Sequence, residues 1–112
     1  MKTRIAIASK GFNGLDDIIP DVFGRAPAFT IIDMEDNIVK NIKTEKNLSY
    51  ELAHGAGPLI CTKLIKLDTN IVIASEFGPT VSSILKEAQI NQIKAKPGTK
   101  VKDAIKEFLK KD

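Results

Sequence analysis

Two reactive residue types are almost missing from this chain of 112 residues, which holds one cysteine, Cys61, and one histidine, His54. A lone cysteine cannot close an internal disulfide. That fits the reducing cytoplasm, and it excludes a disulfide scaffold or an all-thiolate metal site within one chain. Long apolar runs are missing too. After its first charges the N-terminus has only Ile5-Ala6-Ile7-Ala8, whereas a secretory leader needs an apolar stretch of roughly 7–15 residues and a membrane span about 20. No glycine-rich segment ends in Lys-Ser or Lys-Thr, and no Gly-x-Gly-x-x-Gly follows the first strand, so neither nucleotide fingerprint is present. A hydrolytic serine would need a base, and His54 is the only histidine. Ser9, Ser75, Ser82 and Ser83 also lack the context of a nucleophile elbow.

What is present is ordinary for a globular chain: 43% hydrophobic and 28% charged residues, a balance that argues against wholesale disorder. The length is that of a single domain, residues 1–112, able to bury one core without staples. Net charge is +3, and it is unevenly placed. Residues 94–112 hold seven lysines against Asp103, Glu107 and Asp112, a net of +4, and the first 93 residues net −1. The basic surplus therefore belongs to the C-terminal segment and does not mark the body of the domain as a nucleic-acid binder.

Periodicity gives the order of elements. Ile5–Ala8 reads as a short buried strand, followed by a long polar stretch from Lys10 to about Pro27, of a length usually functional or mobile. Strands over Phe29–Asp33 and Ile38–Lys43 flank the turn Glu35-Asp36-Asn37, which predicts an antiparallel hairpin. A second polar loop, Thr44 to Gly57, leads to a helix opening at Pro58 and running to about Leu67. Ile71–Ala74 is an all-apolar strand, Gly78-Pro79 opens a helix to about Ala88, and Ile90–Lys94 is a weaker strand. Val101, Ala104, Ile105 and Phe108 then recur at helical spacing. A shift of 21 residues superposes Gly57-Pro58 on Gly78-Pro79, Leu64 on Leu85 and Asn70 on Asn91, so two helix-strand crossover units share one plan. The expected fold is α/β, a five-stranded mixed sheet with one antiparallel strand, in the order β-β-β-α-β-α-β-α.

Ligands of such sheets collect at the C-terminal strand ends, where strand order reverses. Gly55-Ala56-Gly57-Pro58 is the leading candidate there, because glycines admit close backbone approach and a helix N-terminus offers amides to an anion. Gly78-Pro79 should lie beside it. Each is equally readable as a simple helix start. His54 reads either as a ligand or proton-transfer group or as an exposed loop histidine. Cys61 reads either as a thiolate metal ligand activated near the helix start or as a small core residue. Arg25 suits an anion clamp or a plain surface, and Asp16, Asp17 and Asp21 form either a carboxylate cluster or a solvated loop.

In order along the chain, Phe23-Gly24-Arg25-Ala26-Pro27, Ile31-Ile32-Asp33, His54-Gly55-Ala56-Gly57-Pro58, Val72-Ile73-Ala74, Gly78-Pro79 and Leu85-Lys86-Glu87-Ala88 resemble the dinitrogenase iron-molybdenum cofactor-binding family, that of NifX, NafY and the C-terminal domain of NifB. The resemblance spans about residues 4–109. It implies a ribonuclease H-like three-layer fold and non-covalent, non-catalytic binding of an anionic iron–sulfur or iron–molybdenum-type cluster or its precursor. It also implies metallocluster assembly proteins as partners. Carried over by motif, the binding residues are Phe23, Gly24, Arg25, His54, Gly55, Gly57 and Gly78, with His54 and Cys61 as the metal-ligand candidates. Ser75-Glu76-Phe77 departs from the glycine-rich segment that often precedes the second Gly-Pro in the family. The expected protein is a cytoplasmic monomer or weak homodimer that binds neither nucleic acid nor membrane. A nuclease of this fold would need an acidic residue on the first strand, which has none. An interaction or regulatory module without a cluster is the alternative.

Overall fold

The structure, a computed structural model, describes residues 2–49, 52 and 54–110. Its first strand, β1 (Lys2–Ser9), sorts its alternating residues onto opposite faces of the sheet. Ile5 and Ile7 pack on one face with Ile19, Val101 and Ile105. Ala6 and Ala8 point to the other, where their small size leaves room for Phe23, Phe29, Cys61 and Leu64.

The strands β2 (Ala28–Glu35) and β3 (Ile38–Lys46) form the expected hairpin, longer at both ends than the sequence pattern suggests. Asp36 and Asn37 both take positive φ, 54° and 67°, which matches the primed two-residue turn favoured by the twist of a hairpin. The helix α1 (Ala56–Lys66) leads to β4 (Ile71–Ala74), α2 (Pro79–Glu87) to β5 (Asn91–Lys94), and α3 (Val101–Lys110) follows. The sheet order is β3-β2-β1-β4-β5, with β2 antiparallel to both neighbours and β1, β4 and β5 mutually parallel. Helices α1 and α2 cover one face. The other is covered by α3 together with the segment around Leu15 and Ile19.

The 21-residue repeat is real at the level of single hydrogen bonds. Thr69 N–H bonds to Leu64 O at 3.2 Å, and Ile90 N–H to Leu85 O at 2.9 Å, with Asp68 and Gln89 both left-handed between them. These are two copies of one C-terminal capping motif. Their crossovers differ in span: α1 carries the chain from β3 past β2 and β1 to β4, and α2 joins neighbouring strands.

Two expectations need correcting. The helix α1 starts at Ala56 rather than Pro58, because Gly55 takes φ +78° as its N-cap and accepts a hydrogen bond from Leu59 N–H. Pro58 is thus the third helical residue, still at a position that needs no amide donor. The 10–27 stretch is not a free loop. It carries a 3-10 turn at Gly14–Asp16, buries Ile19, and bridges to Lys100 through Ile18.

Candidate functional site

From β1 the chain turns one way to β2, and β4 pairs on the other side, so strand order reverses between β1 and β4. The segments after β1, β3 and β4 meet around this point. Phe23 holds the first in place. The residue is 4% exposed, and its ring packs edge-on against Phe29 of β2 at 5.5 Å and, tilted by 45°, against Phe77, beyond β4, at 5.6 Å. Such pairs add stability beyond the area they bury, and this one ties the first loop to the third. Phe23 therefore offers almost no surface to a ligand.

Gly24 lies against the first turn of α1. A Cβ there would stand 2.7 Å from Gly57 N and 2.8 Å from Gly57 Cα, which is backbone that cannot step aside. Gly57 in turn has no room for a side chain, since its Cβ would meet Val81 Cγ2 at 2.7 Å. Thus the first turns of α1 and α2 touch, as the two Gly-Pro starts suggested. Gly55 is exposed with open space around its Cα, and its demand for glycine is its φ of +78°. Gly78 is exposed with φ −65°, a conformation open to any residue, so the backbone does not require glycine there. The amides of Thr80 and Val81 have no acceptor within α2, because the first turn of any helix leaves its donors unpaired.

Asn47 organises the approach of these loops, and nothing in the sequence pattern singled it out. It is 1% exposed. Its amide nitrogen donates to Gly24 O and to Ala26 O, each at 2.8 Å, and its Oδ1 accepts from Ser49 Oγ at 2.6 Å. Its own N–H bonds to Pro27 O at 3.0 Å. One buried amide thus spans the first and second loops. Arg25, exposed, adds a hydrogen bond from Nη2 to Leu52 O at 2.7 Å. Part of the second loop, Tyr50, Glu51 and Ala53, lies outside the described residues.

His54 is exposed immediately before the N-cap of α1. Cys61 is fully buried, in the second turn of that helix and among the core residues. Burial pushes its thiol up to about 11, the opposite of activation by a helix start. No group of three or more His, Cys, Asp and Glu that could hold a metal ion occurs among the described residues. The acidic cluster also dissolves. Asp17 is buried and accepts from the Asn13 and Ile18 amides, Asp16 pairs with Lys102 at 3.3 Å, and Asp21 is exposed.

A second residue missed in the sequence is Ser75, the first after β4. Its hydroxyl is buried without a hydrogen-bond partner, an expensive state for a polar group. Beside the site, a groove of about 390 Å³ runs between α1 and the second loop, lined by Leu48, Leu52 and Leu59 with Lys46 and Lys63. Leu48 is 81% exposed. At the far strand edge a polar cavity surrounds Arg4, whose guanidinium bonds Asp33 at 2.7 Å and holds that carboxyl below its usual range.

The family model described as dinitrogenase iron-molybdenum cofactor matches residues 1–111. An uncharacterized protein of Methanocaldococcus jannaschii is 30% identical over 87 residues, 78% of this chain and 73% of its own. Among solved structures, the apo form of the orange protein from Desulfovibrio gigas superposes with a TM-score of 0.88 at 29% identity, covering 97% of this chain and 88% of that one. The NMR structure of a putative NifB protein from Thermotoga gives 0.79 at 31% identity, with 96% and 88% covered.

Proposed function

We propose that this chain, which belongs to the dinitrogenase iron-molybdenum cofactor family, is a cytoplasmic, non-catalytic binding or carrier protein for an anionic iron–sulfur or iron–molybdenum-type cluster or its precursor. The similarity to a protein described in an apo form and to a putative NifB protein supports that reading. The observation that carries it is the buried, unpartnered Ser75 hydroxyl at the end of β4, where three loops converge and strand order reverses. The order β3-β2-β1-β4-β5 with an antiparallel β2 likewise supports the ribonuclease H-like label.

The donor set fits cargo that brings its own sulfide. With its only thiol buried and protonated, the chain offers an anion hydrogen bonds and charge in place of a thiolate cage. Ser75, the first-turn amides of α2 and Arg25 would supply donors, and His54 a ring nitrogen. Gly24 and Gly57 let the first loop, α1 and α2 close on one another, and Gly78 leaves open space before α2. We assign delivery to metallocluster assembly proteins. The exposed leucine groove next to Asn47 favours a partner-docking role as the second reading.

Anaerobic reconstitution with iron, sulfide and molybdate, followed by gel filtration and visible spectroscopy, tests the proposal. A chromophore should co-elute with the parent protein, and less of it with Ser75→Ala, Arg25→Ala or His54→Ala. A parent that elutes colourless and metal-free under all these conditions would leave the docking reading in its place.

A further inference from the structure

The C-terminal lysine surplus has no part in that site. On the α3 side of the sheet a cavity of about 630 Å³ opens between α3 and β5, a size typical of small-molecule sites. Its apolar lining comes from Ile73, Ile93, Ala95, Ala104 and Phe108. Ile73 and Ala104 are buried and the other three half-buried, so these residues form the inner wall. Lys94, Lys96, Lys106 and Lys110 also line it, and all four are exposed. None of the four makes an ion pair with a described residue.

We propose that this cavity binds an amphiphilic organic anion, an apolar chain or ring carrying one anionic head. The proposal stands apart from the cluster-binding reading. Burying an apolar body against the isoleucines and Phe108 supplies the non-directional part of the affinity. The exposed ammonium groups at the mouth, without an ion-pair partner among the described residues, favour a negative head and attract it from a distance. Inorganic phosphate would leave the apolar wall unused. A nucleic-acid backbone would leave it unused as well, and would bring many charges past Asp103 and Glu107, the two carboxylates that also line the cavity. These two acids confine the favourable charge to a single head.

The probe is 1-anilinonaphthalene-8-sulfonate, itself an aromatic anion, titrated into the folded protein. We expect saturable fluorescence enhancement at one site per chain. Decanoate and decyl phosphate should displace it, the more effective one identifying the preferred head, while decyltrimethylammonium and inorganic phosphate should not. Lys96→Glu with Lys106→Glu, both at exposed positions and with the fold checked by circular dichroism, should weaken binding about tenfold. Leu48→Ser with Leu59→Ser, in the other apolar groove, should leave it unchanged. No saturable binding, equal displacement by the cationic amphiphile, or loss with the leucine variants instead of the lysine variants would overturn the proposal.

Discussion

Asn47 ties the first loop of the candidate site to the second through its side-chain amide. Replacing it with alanine removes both donors to the Gly24 and Ala26 carbonyls and leaves the Ser49 hydroxyl only its longer bond to Ala56 O. Buried groups left unpaired cost about 1–3 kcal/mol, so Asn47→Ala should lower the urea midpoint by a corresponding amount with an unchanged slope. The two inner glycines differ in kind. Gly57→Ala meets only the end of a side chain, Val81 Cγ2, so its cost of about 1–3 kcal/mol should be largely recovered in the double variant with Val81→Ala. A matching double variant should not rescue Gly24→Ala, which meets backbone. A double-mutant cycle by chemical denaturation reads the difference. Cys61 predicts a pH effect. Its folded-state value is about 11, and an unfolded thiol titrates near roughly 8.5. Between those values the unfolded chain has released a proton that the folded chain keeps, so stability falls as pH rises. Denaturation midpoints at pH 8 and 10.5 should differ less for Cys61→Ala than for the parent.

At the scale of elements, the helix ends are where the chain departs from the best local choice. Gln89 takes φ 62° at the left-handed position after α2, where glycine is favoured. Gln89→Gly should therefore stabilise the protein by about 0.5–1 kcal/mol, measured as a rise in the denaturation midpoint. The type and order of the elements were legible because their apolar periods are strong: the isoleucine–alanine alternation of β1, and Val101, Ala104, Ile105 and Phe108 on α3. The start of α1 was not, since proline marks any position of a first turn and only the conformation of Gly55 fixes which one. Likewise, no spacing rule links Asn47 to Gly24, 23 residues away, or marks the Ser75 hydroxyl as unpartnered. Such features arise from loop packing, which has no period. The motif glycines were legible as a group, and the structure divides them by cause: backbone contact at Gly24, helix packing at Gly57, conformation at Gly55 and open space at Gly78.

Considered whole, the molecule has an exposed edge. β3 pairs only with β2, runs nine residues, and exposes Ile38, Val39 and Ile42. Lys40 and Lys43 interrupt these apolar groups, as charges do on edges that must not pair with other chains. Lys40→Val should therefore raise concentration-dependent association in sedimentation velocity relative to the parent. Equal association of the two proteins would show that this charge does not guard the edge.

The sheet order also carries a kinetic consequence. The hairpin of β2 and β3 and its pairing with β1 close over short stretches of chain, whereas Ile5 of β1 must find Ile71 of β4. Contacts that distant form slowly, because the intervening chain loses its freedom before they are made. On a ribosome, a chain stopped short of residue 71 holds the strand meander and the loops bearing Gly24 and Asn47 but not β4. On the proposed reading the site is thus completed late, when β4 docks and brings Ser75 and the first turn of α2 to the loops already made.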